Sequence, residues 1–286
     1  MFIVTLNAII NGLLYGSIWG IIALGFTLVF GVMDFVNFAQ GFFVIVPAFF
    51  SYFLFVSWGI DPYLSLLLIM PLSFGLGLLV YKYVGVRLLD EPHSAHIVVT
   101  LGLCFFIENL LLLLAGGDLR NAVTSYTSDT IQWGWMMMSY PRFWASAVAW
   151  ICVFLLFLFL KYTDTGRSMR AAADNREGAR IVGIHVDRVY LVAFGVSILI
   201  AGIAGAVIIP FYLISPFTGM DFLGKAFAAV IIGGLGSIPG AMIGGLMIGV
   251  VESIAGVFFR ASLGNAVTFF IMILVLIFKP NGLFGE

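Results

Sequence analysis

The residues from Gly219 to Lys225 have the Gly-x4-Gly-Lys spacing of a phosphate-binding loop. In such a loop the next residue is Ser or Thr, because its hydroxyl binds Mg²⁺. Here the next residue is Ala226, and the segment opens an apolar stretch with no strand pattern before it. We therefore interpret the match as chance. Any energy for transport would have to come from a separate protein or from an ion gradient.

Two carboxylates lie inside apolar stretches, Glu108 beside Asn109 and Glu252 beside Ser253. Ionisable groups within a membrane are costly, so they usually face a protein interior or water. Neither carboxylate has a cation at helical spacing. Two interpretations stay open. The carboxylates could form a proton path or contact a substrate ammonium, or they could be structural groups that are protonated or close to an aqueous vestibule.

A run of polar residues interrupts the apolar sequence near Asn37 and Gln40, with glycines at positions 31 and 41. Unwound backbone at membrane depth is tolerated where it is buried in protein or lines a cavity. An ordinary cytoplasmic turn would have the same composition. We take Asn37 and Gln40, together with Glu108 and Glu252, as candidate residues of a translocation pathway.

Other chemistry is not indicated by the sequence. No cluster of His, Cys and carboxylates has metal-ligand spacing, and no serine has the context of a nucleophile elbow. Cys104 and Cys152 both lie in apolar segments, where buried packing is the usual role of cysteine. We expect no catalytic residue, no metal site and no cofactor bound by this chain.

The elements that must position these residues are membrane helices. Hydrophobic residues make up 62% of the 286 residues and charged residues only 9%, and the mean hydropathy is +1.15. So few charges cannot supply the polar surface of a soluble domain. A membrane span needs about 20 apolar residues to cross about 30 Å of hydrocarbon. We predict an all-α, polytopic membrane protein, a single transmembrane domain over residues 1–286 with about eight or nine transmembrane helices.

The predicted apolar segments are 8–30, 42–58, 63–81, 96–114, 143–160, 189–214, 222–236, 241–259 and 264–278. Glycines at positions 12, 16 and 20 recur on one face of the first segment, and small residues of this kind allow close helix packing in lipid.

Lys and Arg orient these spans. The connection 161–188 contains six cations and the short connection 82–93 contains Lys82 and Arg87, whereas the longer connection 115–142 contains only Arg120 and Arg142. The positive-inside bias therefore places the first two in the cytoplasm and the third outside. Counting crossings puts the N-terminus outside and Lys279 inside, provided that the short segment 222–236 crosses. If that segment is only a half-span, the C-terminal end lies on the other side. Trp133, Trp135 and Tyr140 suit an outer interfacial belt.

The 161–188 connection holds six of the thirteen Lys and Arg residues, and its part from 166 to 188 reads GRSMRAAADNREGARIVGIHVDR. The stretch from Ser168 to Val182 has no proline, so we predict one helix there, capped by Ser168 and ended by Gly183. Two ion pairs are possible at helical spacing. They join Arg170 with Asp174 and Glu177 with Arg180.

One face of this predicted helix is small. It comprises Met169, Ala172, Ala173, Arg176 and Ala179. A smooth face with charged flanks suits a groove in another protein, where charge fixes the register. The alternative is a solvated loop that obeys the positive-inside rule.

The segment resembles the cytoplasmic loop of the membrane permeases of branched-chain amino acid ABC importers. The matching residues are Gly166, Arg167, Arg170, Ala171, Asp174, Ala179, Gly183, Ile184 and Arg188, followed by Ala193, Phe194, Ala201, Gly202, Ala204 and Gly205. Residues 12–41, 229–253 and 279–285 resemble the family's first and closing blocks in the same order. Where the family usually has His, this chain has Gln40, which keeps hydrogen bonding but cannot titrate.

The resemblance implies the transmembrane subunit of an importer in the bacterial inner membrane. Its implied partners are a homologous second permease, two ATP-binding subunits that hold ATP and Mg²⁺, and a periplasmic substrate-binding protein; we expect membrane lipid around it and no nucleic acid. The coupling helix would lie within residues 166–185. Arg170, Ala172, Ala173, Asp174, Arg176, Ala179 and Gly183 would contact the ATPase, so that a bulky residue at Ala172 should uncouple hydrolysis from uptake.

Two alternatives remain at this point. The same type of importer could carry urea, short amides or aromatic acids, since in such systems the binding protein does most of the selection. The chain could also be a proton-coupled secondary transporter that uses Glu108 and Glu252. The basic, alanine-rich segment favours the importer, because a secondary carrier needs no socket for an ATPase.

Overall fold

The computed structural model describes residues 1–258 and 261–285, so residue 259, the last of the predicted span 241–259, lies outside the described part. The helices are α1 (Phe2–Met33), α2 (Phe42–Trp58), α3 (Pro62–Val80), α4 (Val86–Leu88), α5 (His93–Ala115), α6 (Tyr140–Tyr162), α7 (Asp164–Asp174), α8 (Arg176–Ile181), α9 (Val186–Ile208), α10 (Thr218–Gly233), α11 (Ile238–Phe258) and α12 (Ala261–Phe278). A 3₁₀ turn covers Phe38–Gly41, a π turn covers Tyr81–Gly85, and two strands are β1 (Thr130–Trp133) and β2 (Met136–Ser139).

Seven helical segments in the described ranges are long and apolar enough to cross a membrane. They are Phe2–Met33, Phe38–Trp58, Pro62–Leu88, His93–Ala115, Tyr140–Tyr162, Val186–Ile208 and Ile238–Phe258. The remaining two predicted spans correspond to α10, with 16 residues, and α12. The prediction of an all-α polytopic membrane protein is confirmed. The helix of the sixth predicted span is shorter than expected, because α9 ends at Ile208 and the chain turns there.

Helices α1 and α9 form the centre of the bundle, with 78% of the most apolar window of each buried. The corresponding windows of α3, with its π and α4 extension, and of α5 are only 22% and 17% buried. All four helices are apolar on every side. The central pair is rich in Gly and Ala, which allow other helices to approach closely, whereas the outer pair presents Leu and Phe to lipid.

The contact between α1 and α11 depends on glycine, as the spacing of the glycines predicts. A Cβ atom added to Gly16 would lie 2.8 Å from the carbonyl oxygen of Gly245, and one added to Gly12 would lie 2.7 Å from the Cα atom of Val250. Because Gly12 meets the later part of α11 and Gly16 the earlier part, the two helices are antiparallel.

Helix α10 runs alongside α1 in the same direction. The ring of Phe222 lies 5.2 Å from that of Trp19, and the ring of Phe227 lies 5.8 Å from that of Phe26. Helix α10 therefore begins about halfway along α1 and ends near the C-terminal end of α1. It is a half-length helix, but it still returns the chain to the cytoplasmic end of the bundle.

The last described residues cap the C-terminal end of α10. The backbone N–H of Leu283 donates to the carbonyl of Ile232 at 2.9 Å, and that of Phe284 donates to the carbonyl of Gly233 at 3.0 Å. These bonds satisfy carbonyl groups that the end of a helix leaves without partners. The C-terminal segment therefore lies at the same end of the bundle as the basic connection 161–188.

The outer connection contains a β-hairpin that the sequence did not predict. Strands β1 and β2 pair antiparallel, and Trp133 at the tip of β1 is 78% exposed. The hairpin is held on α1, because Asn11 donates to the carbonyl of Met137 at 2.8 Å. In the same connection, burial and a 2.6 Å hydrogen bond to Asp61 raise the pKa of Tyr126, which therefore remains a neutral donor.

Candidate functional site

The cytoplasmic segment between α6 and α9 consists of two short helices, not the single helix predicted from Ser168 to Val182. Helix α7 already begins at Asp164, because the hydroxyl of Thr163 accepts from the backbone N–H of Gly166 at 3.0 Å. Ser168 is therefore inside the helix and donates to the carbonyl of Asp164. The chain is extended at Asn175, whose side chain caps α8 by accepting from Gly178 at 2.7 Å.

The small face of this segment is turned towards the permease itself. Met169 is fully buried, and Ala172 and Ala179 are 3% and 4% exposed. Helix α7 packs on α1, α6 and α9. Because the side chains of Ala172 and Ala179 are covered by this chain's own helices, the exposed residues of the segment are the ones free to meet an ATPase, and the contact itself stays a prediction.

The opposite face is open. Ala173, Asp174 and Gly183 are exposed, and Gly183 has the positive φ of 87° that ends α8, as predicted. Next to them Ile181 is 85% exposed and Val182 is 75% exposed. Two branched apolar side chains in water at the tip of a charged segment are an unusual feature of a cytoplasmic loop.

Ion pairs hold the segment in place, but they differ from the predicted ones. Arg176 Nη1 lies 2.9 Å from Asp90 Oδ1 in the preceding cytoplasmic connection, and Arg180 lies 3.7 Å from Asp187. The predicted Arg170–Asp174 and Glu177–Arg180 pairs do not form within this fully described segment. Arg170 instead donates to the carbonyl of Leu160 at the end of α6.

The polar residues Asn37 and Gln40 lie inside the bundle, not in an ordinary cytoplasmic turn. Asp34 adopts φ 52°, and this left-handed residue ends α1 and turns the chain back. Gln40 is fully buried at the level of Gly25 in α1, and Ser197 of α9 donates to the carbonyl of Gly25 at 2.6 Å. The 3₁₀ turn that begins the second membrane-crossing segment therefore places irregular backbone at membrane depth, where it is covered by protein.

The side-chain amides of Asn37 and Gln40 form hydrogen bonds with each other and with nearby backbone and hydroxyl groups. Asn37 Oδ1 accepts from the backbone N–H of Ala39 at 3.1 Å, and its Nδ2 donates to Gln40 Oε1 at 3.3 Å. The Ser197 hydroxyl also lies 3.3 Å from Gln40 Oε1. Gln40 Nε2 is buried without a hydrogen-bond partner among the described residues.

The two candidate carboxylates are in different environments. Glu108 is half-buried on α5, next to the exposed residues Phe105 and Phe106. Helix α5 packs on α2 and the 3₁₀ turn, whereas α11, which carries Glu252, packs on α1, α10 and α12. The structure therefore does not bring Glu108 and Glu252 together.

Glu252 is not a lone carboxylate. Lys225 Nζ of α10 approaches Glu252 Oε1 to 2.8 Å, and the two side chains are 8% and 10% exposed. The approach is off the direction of an aligned hydrogen bond, so the contact is an ion pair. The ammonium also lies 4.5 Å from the ring centroid of Trp19. The pairing residue comes from another helix, which is why spacing along the sequence did not indicate it.

Lys225 is the main residue that sequence reasoning missed. It was noticed only as part of the Gly-x4-Gly-Lys match, which the structure places within α10. The signal in the sequence was weak, because a lysine at the start of an apolar segment can extend to the membrane interface as readily as it can pair with a buried carboxylate. In the described part of the chain no group of three His, Cys, Asp or Glu residues could hold a metal ion.

These features define a multi-pass membrane protein with a structured cytoplasmic segment at one end and buried polar groups within the bundle. Comparisons with known proteins show which kind of multi-pass membrane protein it is. The sequence pattern of the family described as "Branched-chain amino acid transport system / permease component" matches residues 8–276. This match covers most of the chain, so the protein belongs to that family and is a transport permease subunit.

Individual relatives agree with the family. The chain is 31% identical to the high-affinity branched-chain amino acid transport system permease protein LivH of Salmonella typhimurium, over 100% of this chain and 97% of the relative. It is 28% identical to BraD of Pseudomonas aeruginosa over 98% and 96% of the two chains. The autoinducer 2 import system permease protein LsrC of Yersinia enterocolitica is 30% identical over 67% of this chain and 53% of the relative. No solved structure matches.

Proposed function

We propose that this chain is a transmembrane subunit of an ATP-driven importer for branched-chain or closely related amino acids. The two relatives that it covers almost completely bear names of branched-chain amino acid transport permeases. The observation that supports a separate ATP-binding partner is the exposed apolar pair, Ile181 and Val182, at the tip of the cytoplasmic segment. Such a pair is stabilised when a partner protein covers it.

The partner that covers this tip would be an ATP-binding subunit. We call the cytoplasmic segment that contains α7 and α8 the coupling segment. The proposed contact surface is its exposed face, which comprises Ala173, Asp174, Ile181, Val182 and Gly183. Charges around an apolar centre match the usual composition of a protein interface. The complete importer would contain a second, homologous permease, two ATP-binding subunits that hold ATP and Mg²⁺, and a periplasmic binding protein, all at the bacterial inner membrane. This chain would perform no hydrolysis itself.

The buried side of the coupling segment supports a mechanical role. Met169 and Ala172 pack tightly against the bundle, and Arg176 is tied to Asp90. A close-packed contact transmits displacement with little loss, because protein interiors have low compressibility. A movement of the ATP-binding subunits at the tip would therefore move α1 and α9, which also surround Gln40.

Other solutes and other energy sources receive less support. The LsrC relative shows that part of this sequence resembles importers of other solutes, but over a smaller share of both chains. A proton-coupled carrier using both candidate carboxylates is not favoured, because Glu252 is paired with Lys225 and Glu108 lies on a different helix group.

Co-purification and uptake test the proposal. The chain is co-expressed with its second permease and ATP-binding subunits, and ATP-dependent leucine uptake is measured in proteoliposomes with the binding protein. We expect Val182→Asp to reduce both co-purification of the ATP-binding subunits and uptake about tenfold or more, since a charge in an apolar interface is not compensated. Val123→Asp is a matched control, because Val123 is also exposed, at 69%, but on the outer side. Equal effects of the two substitutions, or uptake driven by a proton gradient without ATP-binding subunits, would contradict the proposal.

A further inference from the structure

A polar cavity of about 420 Å³ lies in the outer half of the bundle. It is separate from the 3₁₀ turn that contains Gln40 and from the coupling segment. Five elements contribute its principal polar groups: Asn11 and Tyr15 from α1, Arg142 from α6, Tyr212 from the turn after α9, Lys225 from α10 and Glu252 from α11. Its volume is within the range of about 300–1,000 Å³ that is typical of small-molecule sites.

Arg142 is a cation in this cavity without a compensating charge. Its guanidinium lies 5.6 Å from the ring centroid of Tyr15 and 5.9 Å from that of Phe211. No carboxylate of a described residue lies within 4.0 Å of it, and its Nε is buried without a hydrogen-bond partner in the described ranges. A guanidinium N–H that has no acceptor inside a cavity is available to an acceptor that the described residues do not supply.

Glu252 can exchange partners within the same cavity. The ion pair with Lys225 is not an aligned hydrogen bond, and the ammonium of Lys225 has a second stabilising contact with the ring of Trp19. A cation over an indole face is attracted by the negative face of the ring. Lys225 therefore keeps one favourable contact if Glu252 turns towards another ammonium group.

We propose that this cavity binds the zwitterionic head of an α-amino acid on its way through the importer. The carboxylate of the ligand is held by Arg142, with Lys225 close by, and its ammonium by Glu252. Tyr15 and Tyr212 supply ring surface and hydroxyl groups that donate to no other described residue. This inference rests on the proposed function and adds to it the recognition chemistry within the permease.

The arrangement of charge distinguishes this ligand from the alternatives. A neutral amide or urea leaves Arg142 without an anion, and a simple carboxylate compensates Arg142 but makes no use of Glu252. A zwitterion places one opposite charge on each group and adds no net charge to the buried site. Removing buried charges from water is expensive, so a charged cavity at membrane depth is retained where a ligand or pathway uses it.

The test compares three ligands that share the isobutyl side chain on the assembled importer in nanodiscs, without the binding protein. Saturation-transfer NMR titrations give apparent Kd values for leucine, for 4-methylpentanoate, which lacks the ammonium, and for 3-methylbutylamine, which lacks the carboxylate. The wild type is expected to bind leucine about tenfold more tightly than either half-ligand. Equal binding of all three overturns the proposal.

Single substitutions assign the two charges. Glu252→Gln is expected to weaken leucine about tenfold and not to weaken 4-methylpentanoate, because the ammonium contact is lost while both cations of the cavity remain. Arg142→Met is expected to weaken leucine and 4-methylpentanoate but not the amine. Asp118→Asn, at an exposed position of the outer connection, is the matched control. A uniform effect of Glu252→Gln on all three ligands overturns the proposal.

A double variant separates ligand binding from folding. Lys225→Met with Glu252→Met replaces the ion pair by apolar groups, a change that often leaves stability unaltered or improves it. We expect this variant to assemble with the ATP-binding subunits, to unfold near the wild-type temperature and to lose the preference for leucine. Leucine binding by this double variant at wild-type strength would show that the Lys225–Glu252 ion pair has only a structural role. If the wild-type importer carries another class of solute, the proposed function fails; if it imports leucine and the double variant imports it equally well, only the cavity assignment fails.

Discussion

Ala172 and Ala173 are neighbours in sequence with opposite environments. Ala172 is 3% exposed against the permease's own helices, whereas Ala173 is exposed on the cytoplasmic surface. Helical spacing predicted that a small face exists, but it did not predict which partner covers that face. A methyl group is equally compatible with burial in the same chain and with burial in another one.

Tryptophan substitutions at these two positions separate packing from coupling. Ala172→Trp is expected to destabilise the permease by about 1–3 kcal/mol, because a buried site would be overfilled. Ala173→Trp should leave the unfolding temperature unchanged and weaken binding of the ATP-binding subunits. Thermal unfolding in detergent and co-purification measure the two effects. Equal unfolding temperatures for the two variants would show that the cytoplasmic helices are not packed as described.

Charged residues show a similar limit at the residue scale. The sequence correctly drew attention to Glu252, since a carboxylate in an apolar stretch is expensive. It did not reveal Lys225 as its partner, because the two residues are on different helices and 27 positions apart. Arg142 was noted only as a cation of the outer connection. Its position in the same cavity depends on how α6 packs against α1.

At the scale of helices, glycine determines which pair is closest. A Cβ atom on Gly16 would lie 2.8 Å from backbone atoms of α11, whereas one on Gly75 in α3 would have no neighbour within 4 Å. The sequence therefore contains glycines of two kinds that look alike. Only those facing another backbone are required by packing.

Alanine substitutions at these two glycines are a direct comparison. Gly16→Ala is expected to destabilise the bundle by about 1–3 kcal/mol, because rigid backbone atoms would have to move. Gly75→Ala is expected to be neutral or slightly stabilising, since alanine favours the helix by about 1 kcal/mol. Thermal unfolding of the two purified variants is the measurement. A larger loss from Gly75→Ala than from Gly16→Ala would contradict the packing of α1 on α11.

The break between α7 and α8 is another feature of the element scale. Neither Asn175 nor its direct neighbours Asp174 and Arg176 is a proline or a glycine, so a continuous helix was a reasonable prediction. Asn is an effective helix cap, however, and its side chain here accepts from Gly178 at 2.7 Å. Local capping and the ion pair of Arg176 with Asp90 stabilise two short helices over one longer helix.

At the scale of the whole molecule, the half-length helix α10 decides on which side the C-terminus lies. The sequence left this question open, because 222–236 could cross or turn back. The structure places the end of α10 and the C-terminal segment at the same end of the bundle as the basic connection 161–188, which the positive-inside bias predicts to be cytoplasmic. The physical cause is the set of backbone hydrogen bonds from Leu283 and Phe284 to the last carbonyls of α10.

Cysteine accessibility in cells tests this topology. The native cysteines, Cys104 and Cys152, are buried and should contribute little background labelling. We expect Asp118→Cys to react with a membrane-impermeant thiol reagent from outside, and Glu177→Cys and Lys279→Cys to react only after the membrane is opened. The charge of the reagent keeps it out of the hydrocarbon. Outside labelling of Lys279→Cys together with Asp118→Cys would place the C-terminal end on the other side.

The sequence by itself determined that this is a polytopic helical membrane protein, where most of its spans lie and which family it resembles, and it predicts which connections are cytoplasmic. These properties depend on local composition, since a bilayer selects for length, apolarity and the distribution of Lys and Arg. Only the tertiary structure decided that Gln40 returns into the bundle, that Ala172 is covered by its own chain, and that Arg142, Lys225 and Glu252 share one cavity. Those properties depend on which faces meet between distant helices, and in an almost uniformly apolar sequence no periodic pattern marks such faces.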